Sequence, residues 1–325
     1  MEIGITFDLK SEYLARGFSS EEVAEFDSEE TIDALQKVME DFGHTVERIG
    51  NIYALTSALA GGQRWDLVFN IAEGLFGRGR EAQIPGLLEA YSIPFTFSDS
   101  FIMALTLDKS ATKRYLRDLG VPTGDFWVAT PSTNLTLLDI DYPVFIKPIA
   151  EGTGKGIRGN SKANNFAELL PMVTSLMEEF DQPVLIEEFL PGREFTVGIL
   201  GTGRNAKVIG NIEIIFMNPK SDKIYNFEIK MDYENHVIYK PCQEPIIEKI
   251  NSLALETYVG LGCRDAGRVD IRLDKDGEPV FIEINPLAGI NPHHSDLPIL
   301  ARMNGMDYKT LIKNIIESAS CRVKQ

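Results

Sequence analysis

The sequence predicts an α/β protein, with a Rossmann-like N-terminal unit followed by two α+β subdomains. Three observations carry that reading. Over the first hundred residues strand-like and helix-like apolar periods alternate. Between residues 144 and 156 an apolar strand bearing a lysine runs into a glycine-rich loop. Near the C-terminus Gly267–Pro286 reads as two strands joined by Asp276-Gly277, a dipeptide favoured in two-residue type I′ hairpins because both positions need positive φ. The expected division is 1–105, 106–186 and 187–325.

In chain order, Ile3–Phe7 alternates as a strand. Asp27-Ser28-Glu29-Glu30 has the look of a capping box. Ile32, Leu35, Met39 and Phe42 then recur at helical spacing until Gly43. Val46–Ile49 and Asp66–Ile71 read as strands, Ile84–Tyr91 as a helix, and Phe95 as part of a short strand. A helix from about Leu105 carries Asp108-Lys109-Ser110-Ala111-Thr112-Lys113, with Ala111, Tyr115 and Leu119 on one face, and ends at Gly120-Val121-Pro122. The strand Val144–Pro148 leads into the loop Glu151–Gly156. A helix interrupted or kinked at Pro171 precedes a strand over Val184–Leu190. Arg193–Val197 opens the last subdomain, a helix runs from Pro245 to about Tyr258, and Leu311, Ile312, Ile315 and Ile316 mark the closing helix.

Composition bounds the function. The chain has 325 residues, 44% hydrophobic and 25% charged, with 32 basic against 48 acidic side chains and a net charge of −16. That balance argues against nucleic acid or an anionic membrane as the main partner, since either calls for a basic patch. Cys242, Cys263 and Cys321 are scattered without metal-type spacing, which fits free thiols in a reducing cytoplasm. No signal peptide, membrane-length apolar run, repeat or low-complexity segment is evident.

The hairpin carries the clearest chemistry. With a two-residue turn, Asp270 falls opposite Glu283 and Arg268 opposite Asn285, all four on one face. Two carboxylates directly opposed repel and weaken a ladder. A divalent cation between them reverses that sign, and with an amide oxygen alongside the set suits Mg²⁺ or Mn²⁺. A solvated acidic face is the plainer alternative.

Other segments are less specific alone. The loop Gly152-Thr153-Gly154-Lys155-Gly156 offers backbone N–H groups and a charge to phosphate, or is a flexible hairpin loop; it matches neither a Walker A loop nor a dinucleotide fingerprint. Lys147, inside an apolar strand, must snorkel outward or meet an anion. Glu187-Glu188 is equally an edge-strand charge pair, Lys109 an ordinary exposed helix lysine, and His293-His294 a polar loop or a pair of metal ligands. Arg78 and Arg80 form either an anion pocket or a solvated loop.

Together, in this order from about Leu105 to Ala319, these segments resemble the ATP-grasp superfamily, most closely the D-alanine–D-alanine ligases. The first hundred residues match in architecture only. The resemblance implies an ATP-dependent carboxylate–amine ligase that works through an acyl phosphate. It implies that Lys109 and Lys147 contact ATP phosphates, with the loop of Gly152, Thr153, Gly154 and Lys155 closing over them. Adenine would lie against Glu187, Glu188, Phe189 and Leu190, and Glu194 would hold the ribose. Asp270, Glu283 and Asn285 match the metal ligands, normally for two Mg²⁺. Arg268 matches the arginine that stabilises the tetrahedral intermediate, helped by the Gly289 N–H, and Lys230 falls on a mobile loop over the site. The implied partners are a small carboxylate and a small amine, amino acids among them, with a homodimer left open. A nucleotide-binding module without turnover and a metal-dependent hydrolase are the competing classes.

The departures lie on the substrate side. Gly4-Ile5-Thr6-Phe7-Asp8 replaces the family's Gly-Gly…Glu segment, and Phe69–Glu81 replaces its His-Gly…Gly-Glu segment. Met231 stands for a tyrosine and Thr153 for a serine. After Asn285, Pro286–Ser295 replaces Ser-Pro-Gly-Met and, with one residue more, reaches the family's carboxylate-binding serine. ATP-facing residues are kept while amino-acid-facing ones differ.

Overall fold

Ile3 and Ile5 have no exposed surface, and the strand that holds them, β1 (Glu2–Thr6), is the centre of the first sheet. The computed structural model describes residues 1–157, 161–217 and 233–323. After β1 come α1 (Lys10–Ala15), α2 (Glu29–Asp41), β2 (Thr45–Gly50), α3 (Ile52–Ala60), β3 (Leu67–Asn70) and α4 (Gln83–Ala90). The sheet runs β2-β1-β3, all parallel, and Phe95 adds a parallel bridge to Val68. This is the expected Rossmann-like alternation. Of the expected capping box only half forms. Ser28 caps α2 by accepting from Thr31 N, and the reciprocal position holds threonine rather than glutamate.

The helix expected from Leu105 is two helices, α5 (Ser100–Leu107) and α6 (Lys109–Asp118). Asp108 breaks the run because its side chain accepts from Ala111 N at 2.9 Å and caps α6. The face expected to be buried is also corrected. Tyr115 and Leu119 are 38% and 47% exposed, whereas Lys109, Thr112, Lys113 and Leu116 are buried. A helix normally turns its lysines outward; this one turns two inward, toward a site that needs charge.

The second sheet is antiparallel, in the order β4-β7-β5-β6, from β4 (Phe126–Ala129), β5 (Val144–Pro148), β6 (Lys162–Ala163) and β7 (Val184–Glu188). The helix α7 (Phe166–Phe180) covers it and runs unbroken through Pro171. Because β7 pairs on both sides within this sheet, the expected division at 186/187 runs through a strand.

The third sheet, order β10-β9-β8-β11-β12, contains β8 (Glu194–Leu200), β9 (Lys207–Phe216), β10 (Val237–Lys240), β11 (Ala266–Leu273) and β12 (Pro279–Asn285). Between β9 and β10 lies α8 (Tyr233–His236), and α9 (Ile246–Leu261) packs on the sheet through Ile250, Ala254 and Tyr258. The chain ends with α10 (Asp296–Met303) and α11 (Tyr308–Ser320). Leu311, Ile312, Ile315 and Ile316 of α11 share one core with Ile3, Ile5, Leu35 and Phe69. The C-terminal helices therefore pack back onto the first sheet and hold the N-terminal unit against the hairpin. Among the described residues no helix is long and apolar enough to cross a membrane.

Candidate active site

The hairpin of β11 and β12 places the acids as expected, for a different reason. Asp270 pairs with Glu283 and Arg268 with Asn285. The turn is not the expected type I′ pair. Gly277 has φ +82° while Asp276 is absent from the positive-φ residues, and Gly277 N donates to Asp274 O while Asp274 N donates to Glu278 O. Lys275-Asp276-Gly277 is thus a three-residue loop with glycine in its left-handed position. Such a loop shifts the register by one, pairing Leu273 with Pro279 and Ile271 with Phe281. A bulge at Ile282 shifts it back. Without the bulge Glu283 would point to the opposite face from Asp270.

Asp270 is buried. It accepts from Thr196 Oγ1 at 2.8 Å and from Arg268 Nη1 at 2.6 Å, and Asn285 Nδ2 stands 3.5 Å away. Glu283 faces Lys109 Nζ at 3.6 Å. Two carboxylates on opposed ladder positions, with an amide beside them, give an all-oxygen donor set that fits Mg²⁺ or Mn²⁺. Among the described residues no cluster of three or more His, Cys, Asp or Glu forms a metal site. His293 instead faces Glu30 on the surface, as a polar loop residue.

Two cavities meet at this face, and Arg268 and Glu283 line both. The smaller, about 100 Å³, is lined by Lys147, Gly154, Glu187, Glu188, Phe189, Leu190, Glu194 and Asp270, all expected, together with Lys113, Thr196, Ile214, Arg272 and Ile282. The bulge explains how consecutive residues Ile282 and Glu283 both reach it. Phe189, Leu190, Ile214 and Ile282 make it apolar at one side. Glu194 faces Arg272 Nη1 at 3.5 Å.

Lys147 meets its anion. Its Nζ lies 2.7 Å from Glu187 Oε2, and Lys113 Nζ lies 2.8 Å from Glu187 Oε1, with all three side chains under 10% exposed. Burial works against the Glu187 carboxylate, but the two ammonium groups overcome it and hold it down at about 2. Burial depresses Lys113, whereas for Lys147 the pull of Glu187 and Glu283 exceeds burial and raises it. Sequence reading missed Lys113; its signal was a second lysine four residues after Lys109, on the same helix face.

The larger cavity, about 370 Å³, lies between the N-terminal unit and the hairpin. Lys109, Gly152, Thr153, Arg268, Glu283, Asn285 and Gly289 line it, as do Glu25, Asp27, Glu73, Glu81, His294, Ser295 and Asp296. Asn291 ties its two walls together through Thr31, Nδ2 to Oγ1 at 3.0 Å.

Lys155 requires a correction. It was expected to face phosphate, but its Nζ bonds Glu25 at 2.9 Å and Glu151 at 3.1 Å, on the far side of the loop. Arg80 also clamps Glu25, at 2.9 Å, and donates to Ala150 O. Arg80 is therefore neither an anion pocket nor solvated. Arg78 is 79% exposed and pairs with Asp108. Gly152 packs so close that a Cβ there would lie 2.2 Å from Glu25 Oε1, and Thr153 adopts a left-handed φ of +52°. The loop is latched to the N-terminal unit through Glu25. Lys230 lies outside the described residues.

Asp27, Glu73 and Glu81 form no ion pair among the described residues. Burial raises Asp27 to about 7 and Glu81 to about 7, and burial with Glu81 and Glu25 nearby raises Glu73. A carboxylate whose folded pKa lies above its unfolded value favours folding when protonated. The penalty begins above the unfolded pKa, near 4, and is complete above about 7. We expect the Tm to fall as pH rises from about 4 to 7, and Asp27→Asn to flatten that slope in a pH series of thermal melts. An unchanged slope would remove Asp27 from the account.

The chain is similar to known proteins over most of its length. The family model described as D-ala D-ala ligase C-terminus matches residues 116–317. A D-alanine–D-alanine ligase of Bordetella avium is 34% identical over 274 residues, 83% of this chain and 82% of that one. One from Marinomonas sp. is 33% identical over 260 residues, 78% of each. In fold, the chain is similar to a D-alanine–D-alanine ligase from Bacillus anthracis, at a TM-score of 0.77 and 24% identity over 99% of this chain and 98% of that one. The same protein complexed with ATP gives a TM-score of 0.76.

Proposed function

Because the chain belongs to the D-alanine–D-alanine ligase family, ATP-dependent enzymes that form C–N bonds, we propose that its two adjoining cavities join a carboxylate to an amine. The observation that carries this is the sharing of Arg268 and Glu283 by both cavities. The smaller one suits a nucleotide base against Phe189, Leu190 and Ile282, with Glu194 toward the ribose. Phosphates leading toward Glu283 would pass Lys147 and Lys109. Asp270, Glu283 and Asn285 would hold Mg²⁺, one ion or two, which when bound neutralises phosphate charge.

In the larger cavity the substrate carboxylate takes the terminal phosphoryl group of ATP, giving an acyl phosphate and ADP. The neutral amine attacks that carbonyl, forming the C–N bond and breaking the C–O bond to phosphate, which leaves with the amine's proton. Arg268 and the Gly289 N–H face the oxygen that becomes negative. Thr153 and its loop roof the cavity and keep water from the acyl phosphate. The three free cysteines fit a cytoplasmic enzyme.

The test is ADP and phosphate release from a panel of amino-acid and amine pairs, with mass detection of the product. Arg268→Ala is expected to keep nucleotide binding and to lose about 10²–10³-fold in amine-dependent turnover, the cost of removing one oxyanion stabiliser. Parallel loss of nucleotide affinity would assign Arg268 to binding instead, and no pair giving product would overturn the ligase reading.

A further inference from the structure

Asp296 lines the larger cavity beside Arg268. Its Oδ2 lies 3.5 Å from Arg268 Nη1, and Tyr239 Oη donates to its Oδ1 at 3.2 Å. Both Arg268 and Asp296 are largely buried, their side chains 11% and 16% exposed, and both line the larger cavity. The preceding residue, Ser295, packs on Gly289, where a Cβ would meet its Oγ at 2.7 Å. Asp296 therefore faces one of the groups assigned to the oxyanion, and its chain neighbour packs on the other. A carbonyl held between Arg268 and Gly289 is approached by the amine beside this acid. Position one of α10 favours its charge, since a helix N-terminus stabilises an anion, and Tyr239 fixes its orientation.

A carboxylate attached next to the attacking nitrogen would sit within a few ångströms of Arg268 and of Asp296. At equal distance the attraction and the repulsion are of one size and cancel, so nothing offsets the hydration that carboxylate loses beside two largely buried side chains. The arginine is also already paired with Asp270. An amine without that carboxylate meets no such opposition. We propose that Asp296 is a specificity-determining residue that selects an acceptor amine carrying no carboxylate beside its nucleophilic nitrogen, such as an amino-acid amide, an amino alcohol or a simple amine. This rests on the ligase reading of the same cavity.

The test separates the two. Wild-type protein with ATP, Mg²⁺ and each amino acid as donor is first trapped with hydroxylamine, which turns an acyl phosphate into a hydroxamate without any natural acceptor. With a donor so identified, alaninamide and alanine of each hand are compared as acceptors by product mass and initial rate. We expect kcat/KM to favour the amide at least about tenfold, because a carboxylate buried without net compensation disfavours its bearer by that much or more. Asp296→Asn should bring the ratio toward one, mainly through KM for the free acid, and Asp296→Glu should restore it. Because the readout is a ratio, a general loss of activity in a variant cancels. Hydroxamate formation with a wild-type preference for the free amino acid, or with a ratio that Asp296→Asn leaves unmoved, overturns the specificity proposal and leaves the ligase reading standing. No hydroxamate with any donor overturns both.

Discussion

Glu283→Gln is expected to lower amine-dependent turnover about 10²–10³-fold, the scale for losing one preorganised electrostatic group, while leaving the fold as stable as before. The two outcomes follow from one geometry. Glu283 lies directly across the ladder from Asp270, and two carboxylates so placed destabilise the pairing unless a cation intervenes. Glutamine keeps the shape and removes that repulsion, at the cost of the 3.6 Å pairing with Lys109. Asp270→Asn should abolish turnover too, but it does not share the neutral effect on stability. Asp270 is buried and holds the Arg268 guanidinium at 2.6 Å, and breaking a buried pair leaves the other charge uncompensated. Turnover titrated against Mg²⁺, alongside thermal melts, separates these effects. Wild-type-like activity of Asp270→Asn at low Mg²⁺ would remove the metal assignment.

The sequence made the acids legible because a hairpin converts linear spacing into a face, and the parity of a strand is a strong constraint. Even so the expected pairing stands on two departures that cancel: a loop one residue longer than expected and a bulge that restores the count. Neither is visible in composition, since Asp276-Gly277 serves a three-residue loop as well as a two-residue one, and Ile282 reads as an ordinary strand residue. Lys147 was legible because a lysine in an apolar strand demands a partner. Its partner and Lys113 were not, because Glu187 on β7 lies about 40 residues beyond Lys147 and more than seventy beyond Lys113. Apolar spacing on α6 pointed to the wrong face for the same reason: its inward side is chosen by charge. Lys155 shows the converse failure. Its motif reads as a loop offering a charge to phosphate, but the side chain answers to Glu25, an acid from the distant N-terminal unit.

The ion triad at the centre of the smaller cavity gives the sharpest stability prediction. Lys113, Glu187 and Lys147 bury two positive charges against one negative, so their net charge is positive and removals should not be equivalent. Glu187→Gln strands two ammonium groups and is expected to cost about 3–5 kcal/mol, the range for breaking a buried pair. Lys113→Met leaves one carboxylate against one ammonium, at 2.7 Å, and should cost clearly less. The pH dependence fixes the sign. Glu187 is held at about 2, below its ordinary value of 4.5; its contribution is complete above that ordinary value and is lost as pH falls through about 2. Wild-type stability should therefore drop more steeply than that of Glu187→Gln between those limits, in urea titrations at a series of pH values. A nucleotide adds phosphates to the surplus positive charge, so saturating ATP should raise the wild-type midpoint by mass action and raise that of Lys113→Met less. If Lys113→Met proved the more costly substitution, or Glu187→Gln proved neutral, the triad would not be the electrostatic floor of the smaller cavity.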